Sequence, residues 1–388
     1  MQSNKLKIVF ALRTDIRLGA GNEKTVYYYM KYFPRERFEP FVLMTDLMDE
    51  QRLHFDLSGF KDVIYTIHSS ENIIRFVRKI PKVGFELNEL LQYPLAYFTR
   101  LINRDTLNVF DDADIIFAVY HVSSYWFRPR RALVVASEQT IEPVKGNNLK
   151  SKAIYLLHRI TFRKFDIIQR LSPRVMGESY AGIRTFLWPS GYDSHLFYPR
   201  KAREEVNFTF VARLVPGKGL RTLLKAWDYA LQNGLRGAKL NIVGGGELSY
   251  LQNQTDKNSV IWHGVLSEEE LANVLGSSDF FVYPSESDTF GLVIIEALGS
   301  GCHALVADYF RKIYDEEEKN GFLEYLKKDP IIFGRKILEV ARDVNRYRIM
   351  RWRVADFARK KYEWKHIVEG LAAILENEYD KKFSTKLE

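Results

Sequence analysis

One cysteine, Cys302, stands in a chain of 388 residues. That scarcity excludes an internal disulfide and a multi-cysteine metal site, and it suits a reducing compartment. Long hydrophobic runs are lacking as well. No stretch approaches the roughly eighteen uninterrupted apolar residues that a membrane-spanning helix needs. The apolar N-terminal run Leu6-Lys7-Ile8-Val9-Phe10-Ala11-Leu12 has no small-residue cleavage site behind it, so a first buried strand is expected there. Short-period repeats and low-complexity tracts are also missing. Acidic residues fall short of basic ones, 49 against 57, which leaves a formal charge of +8. Such a balance suits anionic partners in general: sugar nucleotides, anionic lipids or nucleic acid. No stacking platform or recognition module for nucleic acid is present, so that partner is not expected. The expected location is cytoplasmic, on the membrane face if membrane-bound at all.

What is present is an alternation of apolar strands and amphipathic helices, with 46% apolar residues, enough for two cores. Strands are predicted at 8–11, 41–44, 63–65, 115–119 and 133–136, and again at 208–211, 240–243, 260–262, 280–283 and 305–307. The fold class is therefore α/β, with two Rossmann-like, doubly wound domains built on parallel sheets. The polar segment Tyr198-Pro-Arg-Lys-Ala-Arg-Glu-Glu205 is read as the linker. The expected domains are 1–197, 198–363 and a C-terminal helix, 364–388, that packs back onto the first domain.

The most informative stretch is 284–298, Pro-Ser-Glu-Ser-Asp-Thr-Phe-Gly-Leu-Val-Ile-Ile-Glu-Ala-Leu. A strand, 280–283, leads into it, and Thr289 is read as the N-cap of an apolar helix. Phe290, Val293, Ile294 and Ala297 form its core stripe, with Glu296 on the flank roughly 10 Å from the cap. A helix start attracts an anion through its free N–H groups and dipole, while a carboxylate accepts hydrogen bonds from hydroxyls. Asp288 and Glu296 around such a start describe a site for a nucleotide-sugar.

Two further segments point the same way. Phe208-Thr-Phe-Val-Ala-Arg-Leu-Val-Pro-Gly-Lys-Gly219 is a strand and loop entering a helix. Its Arg213 and Lys218 are candidate clamps for a diphosphate, Arg by fork geometry and Lys as a point charge. Val243-Gly-Gly-Gly-Glu247, including Gly245, follows the next strand and lets a ligand approach the backbone. Basic loop residues are commonly just solvated and glycines commonly just turn the chain, so each segment alone is weak.

Taken in order, the chain resembles the family 4 retaining glycosyltransferases of the GT-B fold. The landmarks are Gly19-Ala-Gly21, Pro189-Ser-Gly-Tyr-Asp193 with Phe197-Tyr-Pro199, Arg213-Leu and Lys218-Gly219. They continue with Val243-Gly-Gly-Gly246, His263-Gly264, Glu268-Glu-Glu-Leu271, and Asp288-Thr-Phe-Gly with Glu296-Ala297. The likeness is sharp over 185–307. It implies two domains with an interdomain cleft and transfer of a hexose from a UDP- or GDP-sugar to a glycan or lipid-linked acceptor. No cofactor and no metal are implied. Arg213 and Lys218 would neutralise the donor diphosphate, Glu296 would hold the ribose, and Asp288 would contact hydroxyls of the sugar. Gly21, Gly245 and the backbone of Phe290, Gly291 and Leu292 would lie along the donor, with Val265 beside the base.

Three positions depart from the family pattern. Asp288 stands where Glu is usual, one methylene shorter, which implies an altered sugar preference. No His follows the strand 133–136, which ends in Glu138, while His121 follows the preceding strand. Either residue is a candidate contact for donor or acceptor hydroxyls, against a structural role for each. After Cys302-His303 the usual glycine-rich loop is replaced by Asp308-Tyr-Phe-Arg-Lys-Ile. Rival functions are a nucleotide-sugar epimerase on the same architecture and a catalytically silent sugar-nucleotide-binding protein. Residues 73–98 and 145–174 interleave Lys and Arg with aromatic and aliphatic residues. They suit either an anionic membrane surface or ordinary helices with solvated charges.

Overall fold

The computed structural model describes residues 5–18, 21–45, 55, 57–68, 84–137, 149–174 and 177–384; the side chains of 18, 84–90 and 149–150 lie outside that description. The chain forms two compact units, Met1–Pro189 with Ile367–Glu388, and Ser190–His366.

The first unit is built on β1 (Leu6–Ala11), β2 (Phe38–Thr45), β3 (Ile64–Ile67), β4 (Ile115–Ala118), β5 (Leu133–Ser137), β6 (Ile167–Arg170), β7 (Ser179–Tyr180) and β8 (Ile183–Leu187). Their order is β3-β2-β1-β4-β5-β6-β8-β7, parallel except for the β7–β8 pair. The central strands are apolar runs, and every residue of Ile115–Ala118 is buried, as befits a parallel sheet covered on both faces. Gln169 is one polar exception, beside Thr45 and Ser137. It is fully buried, and its Nε2 donates to the Trp188 carbonyl at 3.3 Å.

The second unit repeats the pattern with β9 (Val206–Val211), β10 (Ala238–Val243), β11 (Val260–Gly264), β12 (Phe280–Tyr283), β13 (His303–Ala307) and β14 (Leu323–Leu326). The order is β11-β10-β9-β12-β13-β14, all parallel. Each sheet thus reverses its winding once, between β1 and β4 in the first unit and between β9 and β12 in the second. Ligands bind beyond the strand C-termini at such switch points.

All ten predicted strands are present. Three corrections concern what lies between them. The first unit ends at Pro189, not at 197, because the next residues are bonded into the second unit. Tyr192 N donates to the Tyr362 carbonyl at 2.9 Å, and Trp364 N donates to the Tyr192 carbonyl at 3.1 Å. The predicted linker is itself laced to that unit: Arg200 N donates to the Gly276 carbonyl at 2.8 Å, and Arg348 Nη2 donates to the carbonyls of Arg203 and Glu205. The third correction, at Thr289, is taken up with the site. From Ile367 onward the C-terminal helix belongs to the first unit. There Trp188 Nε1 donates to the Ile367 carbonyl (2.8 Å), and Tyr379 Oη to Asp114 (2.8 Å). Lys382 pairs with Asp166 at 2.7 Å.

Cys302 lies fully buried in the second unit with its Sγ toward the Leu275 carbonyl at 3.3 Å. Burial pushes its thiol up to about 12. Because the thiolate is the reactive form, a thiol reagent at mildly alkaline pH is expected to leave the folded protein unmodified and to label it once unfolded. Stoichiometric labelling of the folded chain would contradict this placement.

Candidate functional site

The switch point of the second sheet is flanked by the segments after β9 and β12, which carry the sequence-predicted residues. The two segments are stitched together by their backbones. Glu286 N donates to the Gly217 carbonyl at 3.0 Å. Gly219 has φ +89°, and a Cβ there would stand 2.2 Å from the Pro284 carbonyl oxygen, so only glycine fits. Lys218 is thereby held against the second segment. Its ammonium donates to the Ser287 carbonyl (2.6 Å) and to Asp288 Oδ2 (2.9 Å).

A third group joins this pair. Tyr283, the last residue of β12, donates through its hydroxyl to the same Asp288 Oδ2 at 2.8 Å. Burial, and next the Asp288 carboxylate, push the Tyr283 phenol well above its usual range, so it stays a donor. Asp288 therefore receives an ammonium and a phenol on one oxygen, while its other oxygen accepts from Thr289 N at 3.1 Å. Tyr283 was not anticipated from the sequence, where it reads only as the end of a buried strand. Arg213 is exposed just beyond β9.

The helix after the turn is Leu292–Gly299, and its N-cap position is Gly291, in the left-handed region at φ +80° with no side-chain cap. This corrects the expectation that Thr289 caps it. The chain must reverse between the Asp288 turn and the helix, and glycine makes that reversal at little cost. Phe290 packs its buried ring against Tyr314, whose hydroxyl donates to the Phe290 carbonyl at 2.7 Å. Glu296 is buried on this helix and Leu292 half-buried. After β10 and β11, Gly245 and Val265 are neighbours: a Cβ at Gly245 would stand 2.9 Å from the half-exposed Val265 side chain.

In the first unit, Gly21 is exposed at the start of the helix Gly21–Tyr32, beyond β1. His121 is buried in the turn after β4, with Phe162 at 5.4 Å and Tyr93 at 6.2 Å between ring centroids. Glu138 lies outside the described residues. At this switch point the sequence reading missed Glu23. Its carboxyl is buried and accepts from the Thr14 hydroxyl. Burial pushes that carboxyl up, partly opposed by the Thr14 hydrogen bond, and the nearby Tyr120 phenol is raised too. A buried carboxyl at a ligand-binding edge marks a candidate functional group; Gly21-Asn22-Glu23, following the first strand, is the only sequence signal for it. Among the described residues there is no group of three or more His, Cys, Asp or Glu placed to hold a metal ion, and no helix long and apolar enough to cross a membrane.

Comparison with known proteins agrees with this architecture. Residues 205–343 match the family model described as glycosyl transferases group 1. Sulfoquinovosyl transferase SQD2 of Arabidopsis thaliana is 31% identical over 156 residues, 35% of this chain and 29% of that protein. GDP-mannose-dependent alpha-mannosyltransferase of Corynebacterium glutamicum is 36% identical over 128 residues, 30% of this chain and 29% of that protein. This chain therefore spans less than a third of the length of these relatives. Among solved structures, sucrose-phosphate synthase from Thermosynechococcus elongatus superposes with a TM-score of 0.70 at 16% identity, covering 98% of this chain and all (100%) of that one. Anabaena Alr3699/HepE in complex with UDP follows at 0.66 and 16% identity, covering 96% and 100%. The chain has the GT-B fold of two α/β units, and its residues 205–343 are similar to the glycosyl transferases group 1 family.

Proposed function

We propose that this protein is a retaining, metal-independent glycosyltransferase of family 4. It moves a hexose from a UDP- or GDP-sugar to a glycan or lipid-linked acceptor. The observation that carries this reading is the Lys218–Asp288–Tyr283 constellation at the switch point of the second sheet. It puts a cation for phosphate beside an acceptor for hydroxyls. The names of the relatives support a nucleotide-sugar donor: one is GDP-mannose-dependent, and one neighbour was solved with UDP.

In the proposed reaction the acceptor oxygen bonds to the anomeric carbon as the bond from that carbon to the donor phosphate breaks, on the same face. The acceptor proton passes to the departing phosphate oxygen, so no enzymic base is compulsory. Arg213 and Lys218 stabilise the charge that develops on the leaving diphosphate. Asp288 accepts from sugar hydroxyls and Glu296 from the ribose, with Gly21, Gly245, Val265, Phe290, Gly291 and Leu292 along the donor. His121 or Glu138 contacts the sugars from the first unit. The proposed location is cytoplasmic, with an anionic membrane surface as a partner.

Thermal melting with a panel of UDP- and GDP-sugars tests the donor, because a ligand of the folded state raises its melting temperature. One nucleoside diphosphate series is expected to stabilise the chain, and acceptor is expected to accelerate nucleoside diphosphate release. Stabilisation by none of the panel would refute the reading.

A further inference from the structure

The N-terminal ends of β4, β5 and β6 in the first unit carry more basic side chains than the carboxylates among the described residues, Asp111, Asp112 and Asp166, balance. A cavity of about 710 Å³ opens there between Arg100, Arg104, Arg128 and Arg130, with Asp111 and Asp112 also on its wall. Both acids are already engaged. Asp111 takes the Arg100 guanidinium at 3.3 Å, and Asp112 takes the Lys7 ammonium at 2.6 Å. Arg104, Arg128 and Arg130 meet no carboxylate among the described residues. Arg128 instead donates to the Tyr97 hydroxyl at 2.6 Å and lies 5.2 Å from the centre of that ring. A second cavity, of about 590 Å³, shares Arg130 and adds Arg131, Lys164 and Lys382. Among the described residues the Lys164 ammonium donates to the carbonyls of Ser124 and, at 2.9 Å, Phe127. Burial, then the charges of Arg100 and Arg128, push it down to about 8.

The same edge exposes apolar bulk. The helix Gly84–Ile102 ends with Phe98, Leu101 and Ile102 about half in solvent, at 51%, 57% and 49%. The helix Leu149–Thr161 exposes Leu156 and Ile160 at 58% and 57%. The end of the second helix meets the first at Tyr93, whose Oη accepts from the Thr161 hydroxyl at 3.2 Å, and Tyr125 Oη donates to the Thr161 carbonyl at 2.7 Å. Large apolar side chains exposed on a surface mark an interaction site.

We propose that this edge is a membrane-docking surface: Arg104, Arg128 and Arg130 take the phosphates of anionic phospholipids, and Phe98, Leu101, Ile102, Leu156 and Ile160 enter the acyl boundary. A bilayer surface supplies both chemistries together, negative headgroups and an apolar layer a few ångströms deeper. Four of these five apolar residues are leucine or isoleucine, which suit acyl chains better than bases, although Phe98 and the exposed Tyr97 and Tyr155 also offer rings for stacking. The surface overlaps 73–98 and 145–174 through Phe98, Leu156, Ile160 and Lys164, and extends them with Arg104, Arg128 and Arg130, which lie outside both stretches. It also lies at the opposite strand ends from the switch point of its own sheet. Docking therefore anchors the unit without occupying the edge where its ligands bind, and it does not depend on which sugar is transferred.

Sedimentation of the full chain with vesicles tests this. Phosphatidylcholine–phosphatidylglycerol vesicles are expected to pellet the protein at low salt, and phosphatidylcholine alone to leave it in the supernatant. Arg104→Ala with Arg128→Ala and Arg130→Ala is expected to weaken vesicle binding about a hundredfold. Leu101→Ser with Ile102→Ser is expected to remove the fraction that resists added salt. Both variants should keep the melting temperature and the donor response of the parent. Should the triple variant melt early, Arg104→Ala with Arg130→Ala, which leaves the Tyr97 contact intact, carries the test. Equal pelleting of parent and arginine variants, no lipid dependence, or tighter arginine-dependent binding to a single-stranded oligonucleotide than to vesicles would each overturn the proposal.

Discussion

Replacing Lys218 by alanine is expected to lower turnover of a nucleotide-sugar by about 10²–10³-fold while the protein stays folded. The ammonium is fixed by two contacts, the Ser287 carbonyl and Asp288 Oδ2, and by a glycine backbone that admits no side chain at position 219. In the proposed reaction this fixed cation would lie beside the departing diphosphate and stabilise charge that grows only as the glycosidic bond breaks, so its loss is expected to fall on kcat more than on KM. The structural cost is small. The Lys218–Asp288 pair is partly exposed, with side chains 12% and 27% accessible, and such pairs contribute under about 1 kcal/mol. Lys218→Arg is expected to recover only part of the rate, because a planar fork cannot keep both the carbonyl and the carboxylate at the same point. Glu296→Ala is expected to behave similarly through lost ribose binding. The measurement is nucleoside diphosphate release with circular dichroism as the folding control. Rates near those of the parent protein in a folded Lys218→Ala variant would sink the assignment.

Much of this site was legible in the sequence, for physical reasons that also explain the omissions. The central predicted strands are buried on both faces and appear as apolar runs such as Phe280–Tyr283, while the edge strands Ile64–Ile67 and Val260–Gly264 are only partly buried. β7 escapes because it has only two residues, and β6, β8 and β14 because Gln169, Arg184 and Glu324 interrupt the run. In the folded unit, Glu324 is drawn below the usual carboxylate range, to about 2, by His303 and Lys336. Thr289 has the composition of a cap, but the left-handed turn at Gly291 decides where the helix begins. Tyr283 is invisible because a strand-ending aromatic and a hydroxyl donor look the same in one letter. Nothing local says that Asp288, five residues on, folds back to it.

That fold-back gives Asp288 the second large effect. Its Oδ2 shares the Lys218 ammonium and the Tyr283 hydroxyl, so the carboxylate competes with any diphosphate for Lys218. Asp288→Ala is expected to bind free nucleoside diphosphate more tightly, since one negative charge is gone and the ammonium is released. The same variant is expected to turn over the sugar donor about 10²–10³-fold more slowly. A sugar hydroxyl then has no acceptor, and a site built around hydroxyls discriminates strongly against losing one. These opposite signs separate Asp288 from a merely structural residue, which would weaken both ligands together. Tyr283→Phe removes one hydrogen bond to a charged group, about 1.5–3 kcal/mol. It should lower kcat/KM roughly tenfold or more without tightening the diphosphate. Asp288→Glu restores the length usual in the family that the sequence resembles, but it cannot keep the 2.8 Å contact with Tyr283 unmoved. Its expected signature is a reordered preference across a panel of donor sugars. If all donors fell by one common factor, the short side chain would not be the selector, and sugar choice would have to lie elsewhere.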